Sequence, residues 1–409
     1  MSIGAKIFIS DDDNNISYND LISFVSSRKY CLSSIKTTNL KDFVFEFILS
    51  IISNQDVVVL DCDLPDSELE LLGINQANNR VEIIPHNSLL SIDEILQALE
   101  CSQSKITIFT SGTTGIPKRV SHIITTLTRG VRRNDKHIND VWALAYNPTH
   151  IAGLQVLFQV LFNKNTAVNL FAKSKEYIFK SIESWQITHI SATPTFFRML
   201  LPAPKQYMSV ERITCGGENS NEVLYKKLKQ VFVNAKINNI YASTEFGTLL
   251  ISDGELFKIP SKISDKVLII NNRLFVHKDL FGQTHLQISD NGFYDTGDIV
   301  EYIDAKEELF KFVARSYNFL NIGGYKVNIE EVEDALRSLD AVEEALVYGK
   351  SNSVLGNILC ADVKISSAQT VSIQEIRHQL AQKLQHFKIP RKIQFVEKIS
   401  STRTGKIKR

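Results

Sequence analysis

Short β-branched runs alternate with stretches of helical periodicity along most of the chain. We predict strands at residues 57–60, 105–110, 166–170 and 189–192, with helical patterns between them. The most apolar stretch, residues 43–52, is much shorter than the roughly 20 residues that a membrane-spanning helix needs, so we predict a core element there. An alternation of strands and helices is typical of an α/β fold.

The pattern changes after Asp298. A β-rich segment there leads into a helix, two strands, a second helix and a last strand through Phe395. Ser372 and Glu375 have the spacing of a capping box ahead of one helix, and Asn328 is a candidate N-cap for the other. These signals predict a small α+β domain.

The predicted fold class is therefore α/β, with a large N-terminal body of mixed βα subdomains and a small α+β C-terminal domain. We predict that residues 1–314 form the body and residues 315–409 the C-terminal domain. The length of 409 residues agrees with two or three packed units, because single domains usually contain about 100 to 200 residues.

The charge balance narrows the classes of partner. The chain has 46 Lys and Arg against 45 Asp and Glu, a formal net charge of +1, which provides no general attraction for nucleic acid or an anionic membrane. Its five cysteines are scattered without a CxxC pair, which argues against a disulfide framework or a zinc site. The N-terminus becomes acidic before any signal-peptide pattern develops, so we predict a cytoplasmic protein without a membrane span.

The segment TSGTTGIPK at residues 110–118 is a candidate phosphate site. It follows a predicted strand and precedes a helical pattern that begins near Ser121. Glycines allow close approach to an anion, hydroxyls donate hydrogen bonds and a lysine adds charge. The candidate residues are Thr110, Ser111, Gly112, Thr113, Thr114, Gly115 and Lys118. A P-loop is excluded because Pro117 stands where that motif needs glycine. The alternative to a phosphate site is an ordinary solvated turn.

The order of residues in this segment resembles the signature loop of the adenylate-forming superfamily. That superfamily contains AMP-dependent acyl- and aryl-CoA synthetases, peptide-synthetase adenylation domains and luciferases. The chain resembles a short form of the acyl/aryl-CoA synthetase branch, with Arg119 where the family continues with glycine. The resemblance implies ATP, Mg²⁺ and, for the final acceptor, coenzyme A.

Two further segments follow in the family's order. His150 in NPTHIAG matches the histidine that the CoA synthetases place near the carboxylate and the acyl pocket. Gly216, Gly217 and Glu218 in CGGE resemble the glycine-rich segment beside adenine. Taken alone, the first is a loop histidine and the second a turn.

The segment YASTE resembles the family's YGxTE, with Ala242 in place of glycine. The resemblance implies that Tyr241 stacks on adenine, Thr244 bonds phosphate and Glu245 binds magnesium. A strand end with a solvated glutamate is the alternative interpretation.

The segment YDTGD and its continuation resemble the ribose site and the hinge of the family. Asp298 would accept hydrogen bonds from both ribose hydroxyls, and Arg315 would contact ribose or phosphate. Gly324 is the candidate for a backbone approach to pantetheine, whereas Tyr317 replaces the usual hinge residue. The alternative interpretation is that YDTGD and the segment of Gly324 are ordinary turns and that Arg315 is a surface arginine.

The end of the chain, residues 399–409, resembles the family's LPxTxxGKIxR, with Ser400 in place of proline. Lys406 is therefore the candidate catalytic lysine, together with Thr244, Glu245 and His150. We interpret Lys408 and Arg409 as a solvated tail.

The resemblance predicts a ligase that converts a small carboxylic acid into acyl-AMP and transfers the acyl group to coenzyme A, with alternation of the mobile C-terminal domain between the two steps. Loading of a carrier-protein phosphopantetheine is one alternative, and a degenerate protein that binds nucleotide without turnover is another. We expect the acyl pocket at residues 192–197 and 213–217, which carry no decisive charge and leave the acid unnamed.

Overall fold

A computed structural model describes residues 3–12, 14–64, 66–74, 79–110, 118–218, 220–283, 286, 288–304, 306–315, 319–322, 325–352, 356–366, 369–384 and 386–399. Several residues named in the sequence analysis lie outside this set: Ser111, Gly112, Thr113, Thr114, Gly115, Pro117, Tyr317, Gly324, Ser400, Lys406, Lys408 and Arg409. For Thr110, Lys118 and Arg315, the structure describes only the backbone.

The first part of the chain contains two small sheets and the edge of a large one. Its elements are β1 (Ile7–Asp11), β2 (Asn14–Ser17), α1 (Tyr18–Ser27), β3 (Tyr30–Leu32), β4 (Ser34–Ile35), α2 (Leu40–Ile52), β5 (Val57–Val59), α3 (Asp66–Leu71), β6 (Arg80–Glu82), α4 (Ile92–Cys101), β7 (Ile106–Thr110), β8 (Lys118–His122) and α5 (Ile124–Thr128). The sheets have the orders β4-β5-β7-β8 and β3-β6. The apolar stretch at residues 43–52 lies in α2 and is buried, which confirms the core element.

The middle of the chain completes the central sheet and adds a second one. Its elements are β9 (Val141–Leu144), α6 (Ile151–Phe162), β10 (Thr166–Asn169), α7 (Lys175–Ser184), β11 (His189–Ala192), α8 (Pro194–Leu200), β12 (Arg212–Gly216), α9 (Glu222–Val231), β13 (Lys236–Ser243), β14 (Gly247–Asp253), β15 (Val267–Ile270), β16 (Arg273–His277), β17 (Phe293–Asp304) and β18 (Leu309–Arg315). The central sheet has the order β14-β13-β12-β11-β9-β10-β1-β2, and its pairs are parallel except at the two edges. Strands β15 to β18 form an antiparallel sheet.

The two faces of the central sheet differ in chemistry. Ile190, Ile213 and Cys215 belong to a core that includes side chains from α7, α8 and α9. The alternate residues His189 and Thr214 face a cavity on the other side. Parallel strands that are packed on both faces are usually apolar almost throughout, so the polar alternation marks a face that is kept open.

The last part of the chain has its own core. Its elements are β19 (Phe319–Ile322), β20 (Tyr325–Asn328), α10 (Ile329–Arg337), β21 (Val342–Asn352), β22 (Gly356–Ile365), α11 (Ile373–Ala381) and β23 (Lys392–Phe395). The predicted order of helix, strand, strand, helix and strand is confirmed, as are the capping box of Ser372 with Glu375 and the N-cap Asn328. The domain boundary at residues 314 and 315 stays a prediction.

The segment after the predicted phosphate loop was predicted wrongly. Residues 118–122 form β8, which pairs antiparallel with β7 through Thr110 and Lys118, so the loop joins two strands. Val120 and His122 are buried while Arg119 and Ser121 between and beside them are more exposed, an alternation typical of a strand, and the helix begins at Ile124. Among the described residues, no helix combines the length and the apolar character that crossing a membrane requires.

Candidate active site

The turn between β13 and β14 carries Thr244 and Glu245. Its backbone is held from two sides, because His122 Nε2 donates to the Thr244 carbonyl at 2.7 Å and the Gly282 N–H donates to the Glu245 carbonyl at 2.8 Å. Gly247 closes the turn at a φ of +69°, a conformation that favours glycine. These contacts therefore hold the turn in a defined conformation at the carboxyl end of β13, a strand of the central sheet.

The Glu245 side chain is half-buried and forms no hydrogen bond or salt bridge with any described residue. Carboxylate oxygen is a ligand that Mg²⁺ prefers, and protein-bound Mg²⁺ commonly keeps several waters and substrate phosphates as its other ligands. The described residues contain no cluster of three or more His, Cys, Asp or Glu that would hold a metal by itself. A single carboxylate of this kind fits magnesium that arrives with the phosphates of a nucleotide.

Tyr241 and Asp298 meet across two sheets. The Tyr241 hydroxyl donates to Asp298 Oδ2 at 2.5 Å, and Asp298 is only 4% exposed. The backbone of Arg315 is paired in register with Asp298 on the neighbouring strand. The Tyr241 ring stacks on Phe312, with ring centroids 4.3 Å apart. The structure thus brings together the residues predicted for adenine and ribose, and it adds Phe312, which sequence reasoning missed.

The glycines at the end of β12 are required by close packing. Gly217 has a φ of +85°, which side-chain-bearing residues rarely adopt. The Tyr146 hydroxyl donates to the Gly216 carbonyl at 3.3 Å, and a Cβ on Gly216 would lie 3.1 Å from that hydroxyl oxygen. Gly216, Gly217 and Thr244 all line the same cavity.

The Glu218 side chain is directed to α8. Its Oε2 accepts hydrogen bonds from the backbone N–H of Thr195 at 3.0 Å and from the Thr195 hydroxyl at 2.7 Å, and it lies 3.5 Å from Arg198 Nη2. Arg198 Nε also donates to Glu344 of β21 at 2.9 Å. Burial raises the pKa of Glu344, but the charges of Arg198 and Arg337 outweigh burial and hold that pKa below its usual value. Glu218 therefore belongs to an ionic contact between the body and the C-terminal part.

His150 is paired with a carboxylate that sequence reasoning missed. The His150 Nε2 atom lies 3.0 Å from both oxygens of Asp61. Asp61 also accepts hydrogen bonds from Asn147 Nδ2 at 2.9 Å and from the Thr149 hydroxyl. Burial raises the pKa of Asp61, but the contacts with His150, Thr149 and Asn147 outweigh burial and lower it. The only signal in the sequence was an aspartate directly after a strand.

A cavity of about 250 Å³ lies between the central sheet and α6. Helix α6 connects the parallel strands β9 and β10, so it runs opposite to them. His150 at its first turn therefore lies at the same end of the cavity as Gly216 and Thr244, which we call the nucleotide end. Gln159 near its last turn lies at the opposite end.

The structure corrects the expected pocket. Thr193, Thr214, Gly216 and Gly217 of the expected segments line the cavity, whereas Ile213 and Cys215 face the packed side of the sheet. The expected segments carry no charge themselves, but the cavity contains Arg212, which lies one residue before the second segment, at the start of β12.

Comparison with known proteins decides the family. Residues 55–267 match the family described as AMP-binding enzyme, and residues 331–406 match the AMP-binding enzyme C-terminal domain. The chain belongs to the AMP-binding enzyme family. The predicted resemblance to the adenylate-forming superfamily is thereby confirmed.

Two curated CoA ligases resemble this chain over most of its length. 4-Hydroxybutyrate–CoA ligase 1 of Metallosphaera sedula is 28% identical over 74% of the chain, and 2-succinylbenzoate–CoA ligase of Listeria innocua is 24% identical over 77%. The matches cover 61% and 71% of these two relatives, so the chain spans about two thirds of their length.

Two solved structures share the fold of this chain. The structure of MatB from Rhodopseudomonas palustris with bound ATP superposes with a TM-score of 0.75 at 17% identity. The superposition covers all of this chain and 95% of the MatB chain. o-Succinylbenzoate CoA synthetase (MenE) from Bacillus subtilis, in complex with ATP and magnesium ion, has a TM-score of 0.72 at 19% identity and covers 98% of this chain and 95% of its own. The predicted fold class, a large α/β body with a smaller C-terminal domain, is confirmed.

Proposed function

We propose that the protein is an AMP-forming ligase that joins a small carboxylic acid to a thiol, in two steps. In the first step the carboxylate attacks the α-phosphorus of ATP, which forms acyl-AMP and releases pyrophosphate. In the second step the thiol attacks the acyl carbon and AMP leaves. The proposal rests mainly on one arrangement in a member of this family: Tyr241, Thr244 and Glu245 lie at the nucleotide end of a cavity large enough for an acid.

The first step brings two anions together, so its barrier falls through positioning and charge neutralisation. Asp298, a buried carboxylate, suits the two donors of a ribose diol. Tyr241 holds that carboxylate in place through its 2.5 Å hydrogen bond. Magnesium held by Glu245 would stabilise the charge of the departing pyrophosphate. We assign to Lys406 the bridging of the carboxylate and the α-phosphate.

His150 is proposed to orient the acid. Its Nε2 contacts both oxygens of Asp61, so the ring is fixed at the cavity wall and one edge remains for the substrate. Because the pKa of Asp61 is lowered, its carboxylate stays ionised at neutral pH and keeps the histidine in this orientation. We do not assign a proton transfer to this pair, since the first step needs none.

The thiol is proposed to be that of coenzyme A, and Gly324 to lie beside its pantetheine after the C-terminal domain has rotated. The names of the curated relatives, which are CoA ligases, support this acceptor. A carrier-protein phosphopantetheine is the alternative acceptor. We also propose a cytoplasmic location, where the five unpaired cysteines would stay reduced.

ATP–pyrophosphate exchange across a panel of fatty, aromatic, hydroxy and dicarboxylic acids tests the first step. Lys406→Ala is expected to lower exchange about 100- to 1000-fold, the usual effect of removing one charge-stabilising contact. Lys408→Ala is the matched control and should leave exchange unchanged. No exchange with any acid would refute the enzyme proposal and favour a nucleotide-binding protein without turnover.

Supplied acyl-adenylate separates the two steps. Lys406→Ala should still form thioester from it, whereas equal loss of both steps would contradict the role given to this lysine. Competition between coenzyme A and a phosphopantetheinylated carrier protein then identifies the acceptor. Faster transfer to the carrier would replace coenzyme A by the alternative.

A further inference from the structure

The end of the cavity opposite the nucleotide end has a polar lining that the proposed adenylation does not use. Its wall includes Trp142, His189 and Arg212, which lie at the first or second positions of β9, β11 and β12, and Asn238 near the start of β13. We call this group the far end of the cavity. Strand alternation places all four side chains on the cavity face of the sheet.

Two hydrogen-bond donors at the far end are not fully satisfied by the described residues. Arg212 Nη1 donates to Asn238 Oδ1 at 2.6 Å, and Arg212 forms no salt bridge with any described residue. Trp142 Nε1 is buried and has no hydrogen-bond partner among the residues that the structure describes, an uncommon state for a buried donor. Acceptors supplied by a ligand at this end would satisfy these groups.

The single carboxylate among the described lining residues, Asp140, forms no salt bridge with Arg212. Burial and the nearby charge of Arg212 lower the pKa of His189 to about 4, so this ring is uncharged at neutral pH. Asp140 lies 3.0 Å from His137 Nδ1, and its longer contact with His189 is 3.6 Å. The exposed Arg132, whose backbone is bonded to Gln159, lines the same end. The far end therefore favours an anion.

We propose that the far end binds a second carboxylate of the substrate, so that the protein activates a dicarboxylic acid. One carboxylate would react at the nucleotide end while the other accepts hydrogen bonds from Arg212 and Trp142. This inference rests on the proposed ligase function. Arg212 is the residue that would determine the preference for a dianionic substrate.

The length of the cavity limits the acid. Arg212 and Gly216 are four residues apart on β12, which corresponds to about 13 Å along the strand. A spacer of several carbons or an aromatic ring is needed to extend from one end to the other. The shortest dicarboxylic acids would reach only one of the two ends.

ATP–pyrophosphate exchange with paired acids tests the inference. Glutaric, adipic, pimelic, suberic and azelaic acids are each compared with the monocarboxylic acid and the ω-hydroxy acid of equal carbon number. We expect the wild-type protein to prefer the longer dicarboxylic acids. Arg212→Gln should lower kcat/KM for the preferred dicarboxylic acid about 10- to 100-fold, mainly through KM, and leave the matched monocarboxylic acid unchanged or improved.

Two further variants serve as a second test and as a control. Trp142→Phe keeps the ring but removes the N–H, and it should give a smaller loss that is again confined to the dicarboxylic acid. Arg133→Gln, at an arginine outside the cavity lining, is the matched control. Exchange with the monocarboxylic acid reports whether each variant is folded.

Three outcomes would overturn the inference. They are a wild-type preference for the monocarboxylic acids, a preference for the ω-hydroxy acids, and an equal loss for both acid classes in Arg212→Gln. In each case the proposed ligase function would stand, because exchange is still observed. Absence of exchange with every acid would instead refute the proposed function itself.

Discussion

On one face of the central sheet, Ile190, Ile213 and Cys215 are fully buried against α7, α8 and α9. On the other face, His189 and Thr214 of the same strands line the cavity. On the packed face, close contact between apolar side chains stabilises the fold. The cavity face lacks that packing, and its polar groups are accessible to a ligand. Substitutions on the packed face should therefore change stability, and those around the cavity should change activity.

The largest expected effect is at the nucleotide end. Asp298→Ala should lower kcat/KM for ATP about 1000-fold, or about 4 kcal/mol, because it removes the proposed acceptor of two ribose hydrogen bonds. Asp295→Ala on the same strand is the control, since Asp295 is partly exposed and paired with Arg273. Pyrophosphate exchange at varied ATP measures both variants. Similar losses in the two would show that Asp298 acts only through the strand.

A substitution on the packed face should have the next largest effect. Ile213→Ala should lower the free energy of unfolding by about 3 kcal/mol, because it opens a cavity in a buried core. Urea denaturation followed by tryptophan fluorescence measures it, as both tryptophans lie close to this sheet. Ile270→Ala, at a 48% exposed residue of another sheet, should change little. If Ile213→Ala instead changed KM for the acid at constant stability, the contrast between the faces would fail.

The pH dependence of stability distinguishes the faces more finely. His189 has a pKa of about 4 in the folded protein against a usual value of 6.5. Between these values the unfolded chain binds a proton that the folded protein does not, so stability rises with pH across this window and is lost on acidification. The contribution is about 2 to 3 kcal/mol.

His189→Gln should remove that part of the pH dependence, because glutamine does not titrate. Urea midpoints of the wild-type protein and the variant, measured at a series of pH values from 4 to 7, report the difference. Parallel curves for the two proteins would contradict burial of a neutral histidine beside Arg212.

The smallest effect on stability is expected for a cavity residue of the same strand as Ile213. Thr214→Val should change the free energy of unfolding by less than about 0.5 kcal/mol, because its hydroxyl faces the cavity and its volume is kept. KM for the acid should shift a few-fold, measured by exchange. A stability loss as large as that of Ile213→Ala would erase the distinction between the faces.

Much of this arrangement could be predicted from local sequence. The strands at residues 57–60 and 189–192 form within one residue of the predicted limits, and Ser372 and Glu375 form their capping box. The motif residues Tyr241 and Asp298 lie within hydrogen-bond distance although 57 residues separate them. Their meeting was expected from the family resemblance and not from the residues themselves.

Other features had no local signal. A helical pattern was predicted from near Ser121, yet pairing with β7 makes residues 118–122 a strand. Asp61 lies 89 residues from His150, and Arg212 is one charged residue at the start of a strand. Only the folded sheet shows that the first has an ionic partner and that the second lines a cavity.

The sequence by itself determined the order of the elements, the α/β class and the family, because periodicity, capping and motif order are properties of neighbouring residues. The tertiary structure decided which side of each strand is packed and which is open, which carboxylate holds His150, and where Arg212 lies. Those outcomes depend on contacts between distant segments, which form only when the chain buries its apolar faces together.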